Sequence, residues 1–322
     1  MRCALRLAAV LSLFLLTACA YVNANLTPPL RPLEETVLEG EGRPKILLLD
    51  VTGIISEVGR EGGGLSAARP STVARVKETL RKAEKDDDVV GVVLRINSPG
   101  GTVTASDVIY HELMRFRERK KVPVHACITG IGASGGYYIA TVADRIAAHP
   151  TAVTGSIGVM LRSFNLEGLM GKVGVTEKAI KSGDKKDILS PFREMTPEER
   201  QILQGIIDRL QGRFLETVLA RPGNRLGRAE LEKLADGRVF TADEALQAGL
   251  IDRVEYLDDV IAGMKKGLGI EAARVVSYYR PGHWRGTIYS GEAAASAAGL
   301  ASLGGDLLET LSATEFLYLW KW

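Results

Sequence analysis

The chain has 322 residues, 46% hydrophobic and 25% charged, with 41 Lys and Arg against 39 Asp and Glu. This length supports one large or two modest domains with a real core, and near-neutral charge excludes a basic field that would hold nucleic acid. The 35 glycines fall in short motifs, which excludes a low-complexity chain.

The N-terminus reads as a targeting segment. Arg2 and Arg6 make a positive start, Ala8 to Leu16 a short apolar core, and Leu16-Thr-Ala-Cys19 follows. An apolar run this short is a signal region rather than a spanning helix. Leu-Thr-Ala-Cys resembles the lipobox of bacterial lipoproteins, which implies removal of residues 1–18 and a diacylglycerol on Cys19. Of the three cysteines, Cys3 leaves with the signal and Cys19 carries lipid. Cys127 then has no disulfide partner and reads as a small core residue.

Residues 19–44 are polar and Pro-rich and read as a tether. Ile46–Val51 is a buried strand; Val73, Val76 and Leu80 share a helical face; Val89–Ile96 is a second strand. A second helix carries Val108, Ile109, Leu113 and Phe116, and a third strand covers Val122–Ile128 before a glycine-rich turn and a helix from Ser134. Short β segments are expected near Arg145–Ala148 and Thr176–Ile180. Thr196-Pro-Glu-Glu199 caps a long helix, Thr241-Ala-Asp-Glu244 opens another, and Leu250–Val254 is a last strand. Strands alternating with helices predict an α/β domain with a largely parallel sheet over residues 45–270. Residues 271–322 form an extension whose apolar, aromatic end could pack on the core, on a neighbouring subunit or at a lipid interface.

Three stretches carry chemistry. Arg95-Ile-Asn-Ser-Pro-Gly-Gly-Thr102 follows a strand and exposes backbone N–H groups in a tight turn. Gly130-Ile-Gly-Ala-Ser-Gly-Gly-Tyr-Tyr138 opens a helix, where a serine meets free N–H groups and the helix dipole. Ile180-Lys-Ser-Gly-Asp-Lys-Lys-Asp-Ile-Leu-Ser-Pro191 supplies lysines.

With Thr154-Gly-Ser-Ile-Gly158 and Gly237-Arg-Val-Phe-Thr241, these stretches resemble serine peptidases of the signal peptide peptidase A family over roughly residues 45 to 268. The resemblance implies a ClpP/crotonase-like superhelix of strand-strand-helix units and no metal or cofactor. It implies Ser134 as nucleophile, Lys186 as general base, Gly101 and Gly135 as oxyanion donors, and Ser156 as the residue orienting the lysine. It also implies peptide substrates, cleaved signal peptides among them, and a homo-oligomer with an enclosed chamber, with Ser134 and Lys186 pairing either within one subunit or across two. The expected location is the bacterial envelope, held to a membrane by lipid.

The chemistry needs these parts. A serine hydroxyl attacks only when a base takes its proton, and a lysine can do so only when uncharged. Lys181 and Lys185 are rival bases. Gly132-Ala-Ser-Gly-Gly136 also fits a G-x-S-x-G elbow, for which His149 or His283 would be the histidine. A crotonase-like CoA enzyme and a non-catalytic envelope scaffold are the remaining alternatives.

Overall fold

Strands β2 (Lys45–Thr52) and β3 (Val89–Ser98) are apolar on both faces, so each must be covered on both sides. In β2, Leu47, Leu49 and Val51 enter one core cluster while Ile46 and Leu48 enter another. The alternation is the two-residue period of a strand with helices above and below.

A computed structural model describes residues 31–59, 70–280, 286–290 and 316–320, all within one compact unit. Cys19 and His283 lie outside the described residues. In chain order, β1 (Glu34–Glu39) and β2 precede α1 (Thr72–Glu84); β3 and β4 (Gly100–Thr102) precede α2 (Val103–Lys120). Then come β5 (Val124–Ala133), α3 (Gly135–Ala140), β6 (Arg145–Ala148), β7 (Val153–Gly155) and β8 (Met160–Leu161). Helices α4 (Glu167–Lys172), α5 (Pro197–Leu219) and α6 (Arg228–Leu234) follow, then β9 (Val239–Thr241), α7 (Ala242–Gln247), β10 (Arg253–Val254), α8 (Leu257–Leu268), β11 (Arg274–Tyr279) and β12 (Phe316–Leu319).

Nine of the described strands form one sheet with the path β1-β11-β2-β3-β5-β6-β10, and β7 joins β5 to β9. Every pairing from β11 to β10 along that path is parallel, and β7 also runs parallel to β5. The expected parallel α/β architecture is therefore present. Helix α8 covers one face through Leu257, Val260, Ile261 and Met264. The other face carries α1, α2 and α3, with Val76, Leu80, Ile109, Leu113, Phe116, Tyr137 and Tyr138. The predicted caps form: Thr196 Oγ1 accepts from Glu199 N–H at 3.2 Å while Glu199 Oε2 accepts from Thr196 N–H at 2.9 Å. The Thr241–Glu244 box repeats the device on α7.

Three departures from the sequence expectations matter. Glu34–Glu39, placed in the tether, is an antiparallel edge strand on β11. Residues 274–279, placed in the extension, lie inside the sheet between β1 and β2. Thr176–Ile180, expected to be β, is irregular; Ile180 is fully exposed and no described strand pairs with the segment. A short apolar run becomes a strand only where an edge offers backbone partners. Cys127 is free and buried in the core, and burial pushes its thiol up to about 12. No helix among the described residues is long and apolar enough to cross a membrane.

Candidate active site

Ser134 occupies the single step from β5 into α3. Its backbone is left-handed, with φ of 51°, a conformation a residue with a Cβ adopts only at a cost of about 1–3 kcal/mol. Two hydrogen bonds hold it there: Ser134 N–H donates to Gly155 O at 2.7 Å, and Tyr138 N–H donates to Ser134 O at 2.8 Å. Although Ser134 stands at the N-cap position, its side chain makes no capping hydrogen bond, so the hydroxyl remains available for other work. The residue is 1% exposed.

The two glycine motifs close against this turn backbone to backbone. A Cβ on Gly135 would lie 2.4 Å from Ser106 Oγ and 3.2 Å from Gly100 Cα. A Cβ on Gly100, where φ is +101°, would lie 2.8 Å from Gly135 N. Only hydrogen fits at either position. Gly135 opens α3, so its N–H has no acceptor within the helix. On the other side, Gly100 N–H is taken by Ser98 Oγ at 3.1 Å, and Gly100 O and Thr102 N–H bond Ile55 at 2.9 and 3.0 Å. Gly101 is flanked on both sides of β4, by Ile55 on one and by Tyr318 of β12 on the other. The Gly100–Gly101 turn and Gly135, the residue after Ser134, thus pack against one another.

Ser156 follows β7, the strand beside β5, directly after the Gly155 carbonyl that fixes Ser134. It too is buried and left-handed, with φ of 49°, and its N–H donates to Arg238 O at 2.7 Å. Two adjacent strands therefore each end in a strained serine. Sequence reasoning missed this backbone strain, which no composition or spacing reports.

The lysines stand apart. Lys186 lies in a turn at residues 182–189 and is exposed, and no hydrogen bond joins it to Ser134. Its two rivals are engaged. Lys181 Nζ pairs with Asp187 Oδ2 at 2.8 Å and Lys185 Nζ with Glu198 Oε2 at 2.5 Å. Glu198 holds the Lys185 ammonium above the usual lysine range, the wrong direction for a base. Arg193 clamps the same segment, binding both carboxylate oxygens of Asp187 at 2.7 and 2.9 Å and both of Glu199 at 2.6 and 2.9 Å. This clamp went unread because residues 187, 193 and 199 show no helical or strand period to link them. Lys186 alone of the three makes no side-chain ion pair among the described residues.

His149, the described candidate for a histidine-based hydrolase, accepts Leu257 N–H on Nε2 at 3.1 Å. Its ring packs beside Tyr256, and burial lowers its proton affinity. The lone pair a base would use is already spent on positioning α8.

Comparison with known proteins places these features in company. The model of peptidase family S49 matches residues 116–271, and that of Clp protease matches residues 67–154. A candidate signal peptide peptidase SppA of Enterococcus faecium is 34% identical over 245 residues, covering 76% of this chain and 70% of that protein. A candidate protease of Synechocystis sp. is 43% identical over 217 residues, 67% of this chain and 72% of the relative. The chloroplastic serine protease SPPA of Arabidopsis thaliana is 32% identical over 279 residues, 85% of this chain and 40% of the plant protein. The Clp protease match accords with the parallel sheet and the strand-to-helix turn described above.

Proposed function

We propose, from the premise that this chain belongs to peptidase family S49 and is a serine peptidase, that it cuts extended peptides with a Ser134–Lys186 dyad. The observation that carries the reading is the uncapped Ser134 hydroxyl on a strained turn at the start of α3, where Gly135 packs against Gly100. In the proposed cycle the uncharged Lys186 amine takes the Ser134 proton as Oγ attacks the scissile carbonyl. Gly101 and Gly135 N–H groups receive the oxyanion, a pair in which each donor contributes about 2.7–4 kcal/mol to such intermediates. The protonated lysine then gives its proton to the departing amine, and water, activated by the same amine, releases the acyl group. Ser156 is the residue proposed to orient the lysine.

Because Lys186 is exposed while Ser134 is buried, the lysine is proposed to come from a neighbouring copy of the chain in a homo-oligomer. The substrates proposed are cleaved signal peptides and other extended apolar peptides, met in the bacterial envelope. Leu16-Thr-Ala-Cys19 supports a lipid anchor there, and Cys19→Ala should remove metabolic lipid labelling; an unlabelled wild type would end that claim.

The test of the chemistry is mass spectrometry of peptides incubated with wild type and Ser134→Ala, alongside labelling by a fluorophosphonate. Wild type should cut and be labelled on Ser134, and the variant should do neither. Equal cleavage by both proteins would overturn the nucleophile.

A further inference from the structure

Helix α2 begins two residues after Gly101, and α3 begins directly after Ser134. The glycine turn and the serine turn therefore come from separate stretches of chain, and side chains must keep them in register. The two helices meet at their first turns. Ser106 of α2 is fully buried, its hydroxyl donates to Thr102 O at 2.9 Å, and the same oxygen fills the space beside Gly135. The next residue, Asp107, reaches across to α3, where its Oδ1 accepts the Tyr138 hydroxyl at 2.7 Å.

Tyr138 is thus attached at both ends. Its backbone N–H holds the Ser134 carbonyl at 2.8 Å, which helps to keep that residue left-handed. Its ring is fully buried, with Tyr110 and Phe214 meeting it edge-on at 5.4 and 5.1 Å between centres. Such apolar contacts are non-directional, whereas the hydrogen bond to Asp107 sets how far the ring reaches toward α2. Burial raises the phenol above its ordinary range, so it keeps its proton and stays the donor. Arg213 of α5 adds Nε and Nη2 to the same carboxylate oxygen at 2.9 and 2.7 Å. That ion pair is too exposed to add much stability, with 56% of the arginine side chain open to solvent. What it adds is a fixed position for Oδ1.

Helix α3 has six residues, too few to hold its own geometry, and the strained serine before it persists only where its surroundings over-determine it. Resting on the reading of Ser134 as the nucleophile, we propose that Asp107 is a positioning residue for it, acting through Tyr138. By fixing α3 against α2, the Asp107–Tyr138 hydrogen bond sets Ser134 and Gly135 against the Gly100–Gly101 turn. Neither side chain gives or takes a proton in the reaction. Their effect falls on how often the attack geometry is reached, where a misplacement of about 1 Å can cost about 100-fold in rate. Binding of the peptide does not depend on it.

The experiment is a double-mutant cycle on the full-length protein, read by kcat, KM and the rate of fluorophosphonate labelling at Ser134. Tyr138→Phe keeps the ring and removes only the hydroxyl. Its kcat and labelling rate should fall roughly 5- to 50-fold while KM stays within about twofold of wild type. Asp107→Ala should do the same. The double variant should match the slower single variant within about twofold, because all three lack the same interaction. Asp107→Asn, whose amide oxygen can still accept the phenol, should restore most of what Asp107→Ala loses. A merely structural role would lower Tm and the fraction of enzyme that labels, yet leave kcat per labelled site unchanged. Wild-type kcat per labelled site in Tyr138→Phe would overturn the proposal and leave the nucleophile standing, as would additive losses in the double variant. If Asp107→Ala does not fold, Tyr138→Phe decides alone. Cleavage that persists in Ser134→Ala would instead remove the reading on which the proposal rests.

Discussion

The contrast among three neighbouring lysines decides most at the residue scale. Lys181 and Lys185 each face a carboxylate at 2.8 and 2.5 Å, whereas Lys186 makes no such pair among the described residues. A base must spend part of its time uncharged, and an ion pair opposes that state. Lys186→Ala should therefore lower kcat/KM by about 10²–10⁴-fold, and Lys186→Arg should do as badly, because a guanidinium does not give up its proton. Lys181→Ala and Lys185→Ala remove exposed pairs of small worth and should stay within about threefold of wild type. Steady-state kinetics on folded variants checks this, and a Lys186→Ala enzyme with most of its activity would sink the dyad. That tight turns follow β3 and β5 was legible in the sequence, because Ser98-Pro-Gly-Gly101 and Gly132-Ala-Ser-Gly-Gly136 are runs of small residues and turn formers. The left-handed φ at Ser134 and Ser156 was not legible, since a strand ending in serine looks the same in sequence whether strained or relaxed.

Among the elements, the long apolar strands and capped helices followed directly from period and cap residues, as β2, β3, α1, α2 and α5 show. The elements that escaped reading are short and depend on a distant edge. Strand β1 exists because β11 offers partners, and β12 because β4 and β8 do. The Lys186 segment shows the opposite case: lacking an edge, it is held by charge. Arg193 keeps Glu199 down at about 2 and Asp187 well below the ordinary carboxylate range, in each case chiefly through its hydrogen bonds to the carboxylate. Both folded values are depressed, so this support is complete above the unfolded carboxylate values near 4 and fades as pH falls toward 2. Amide exchange across residues 181–200, compared at pH 6 and pH 3 with intrinsic rates corrected, should show protection lost at the lower pH. Arg193→Ala should show low protection at both. Equal protection of wild type at the two values would mean that the clamp does not organise the loop.

For the whole molecule, the segment between β8 and α5, which carries Lys186, exposes several large apolar side chains. Leu169, Val173, Val175 and Ile180 are all exposed on the segment between β8 and α5, while the core beneath the sheet is closed. Ser134 is buried and Lys186 exposed, so under the proposed dyad the two groups stand apart, and a second copy would join them if its arm reached a neighbour's Ser134. Symmetric self-association is the common way for such a surface to be covered. The arrangement makes a sharp demand on mixed assemblies. Ser134→Ala and Lys186→Ala are each expected to be inactive alone. Co-expressed in equal amounts with different tags and purified through both, they should form sites that combine an intact Ser134 from one subunit with an intact Lys186 from the other. Random assembly makes about one such site in four, so about a quarter of wild-type peptidase activity should return. Sizing by light scattering would establish that the purified species contains both chains. A doubly tagged oligomer without activity would place both members of the dyad in one chain, and the exposed arm would then need to fold back on its own Ser134 to work.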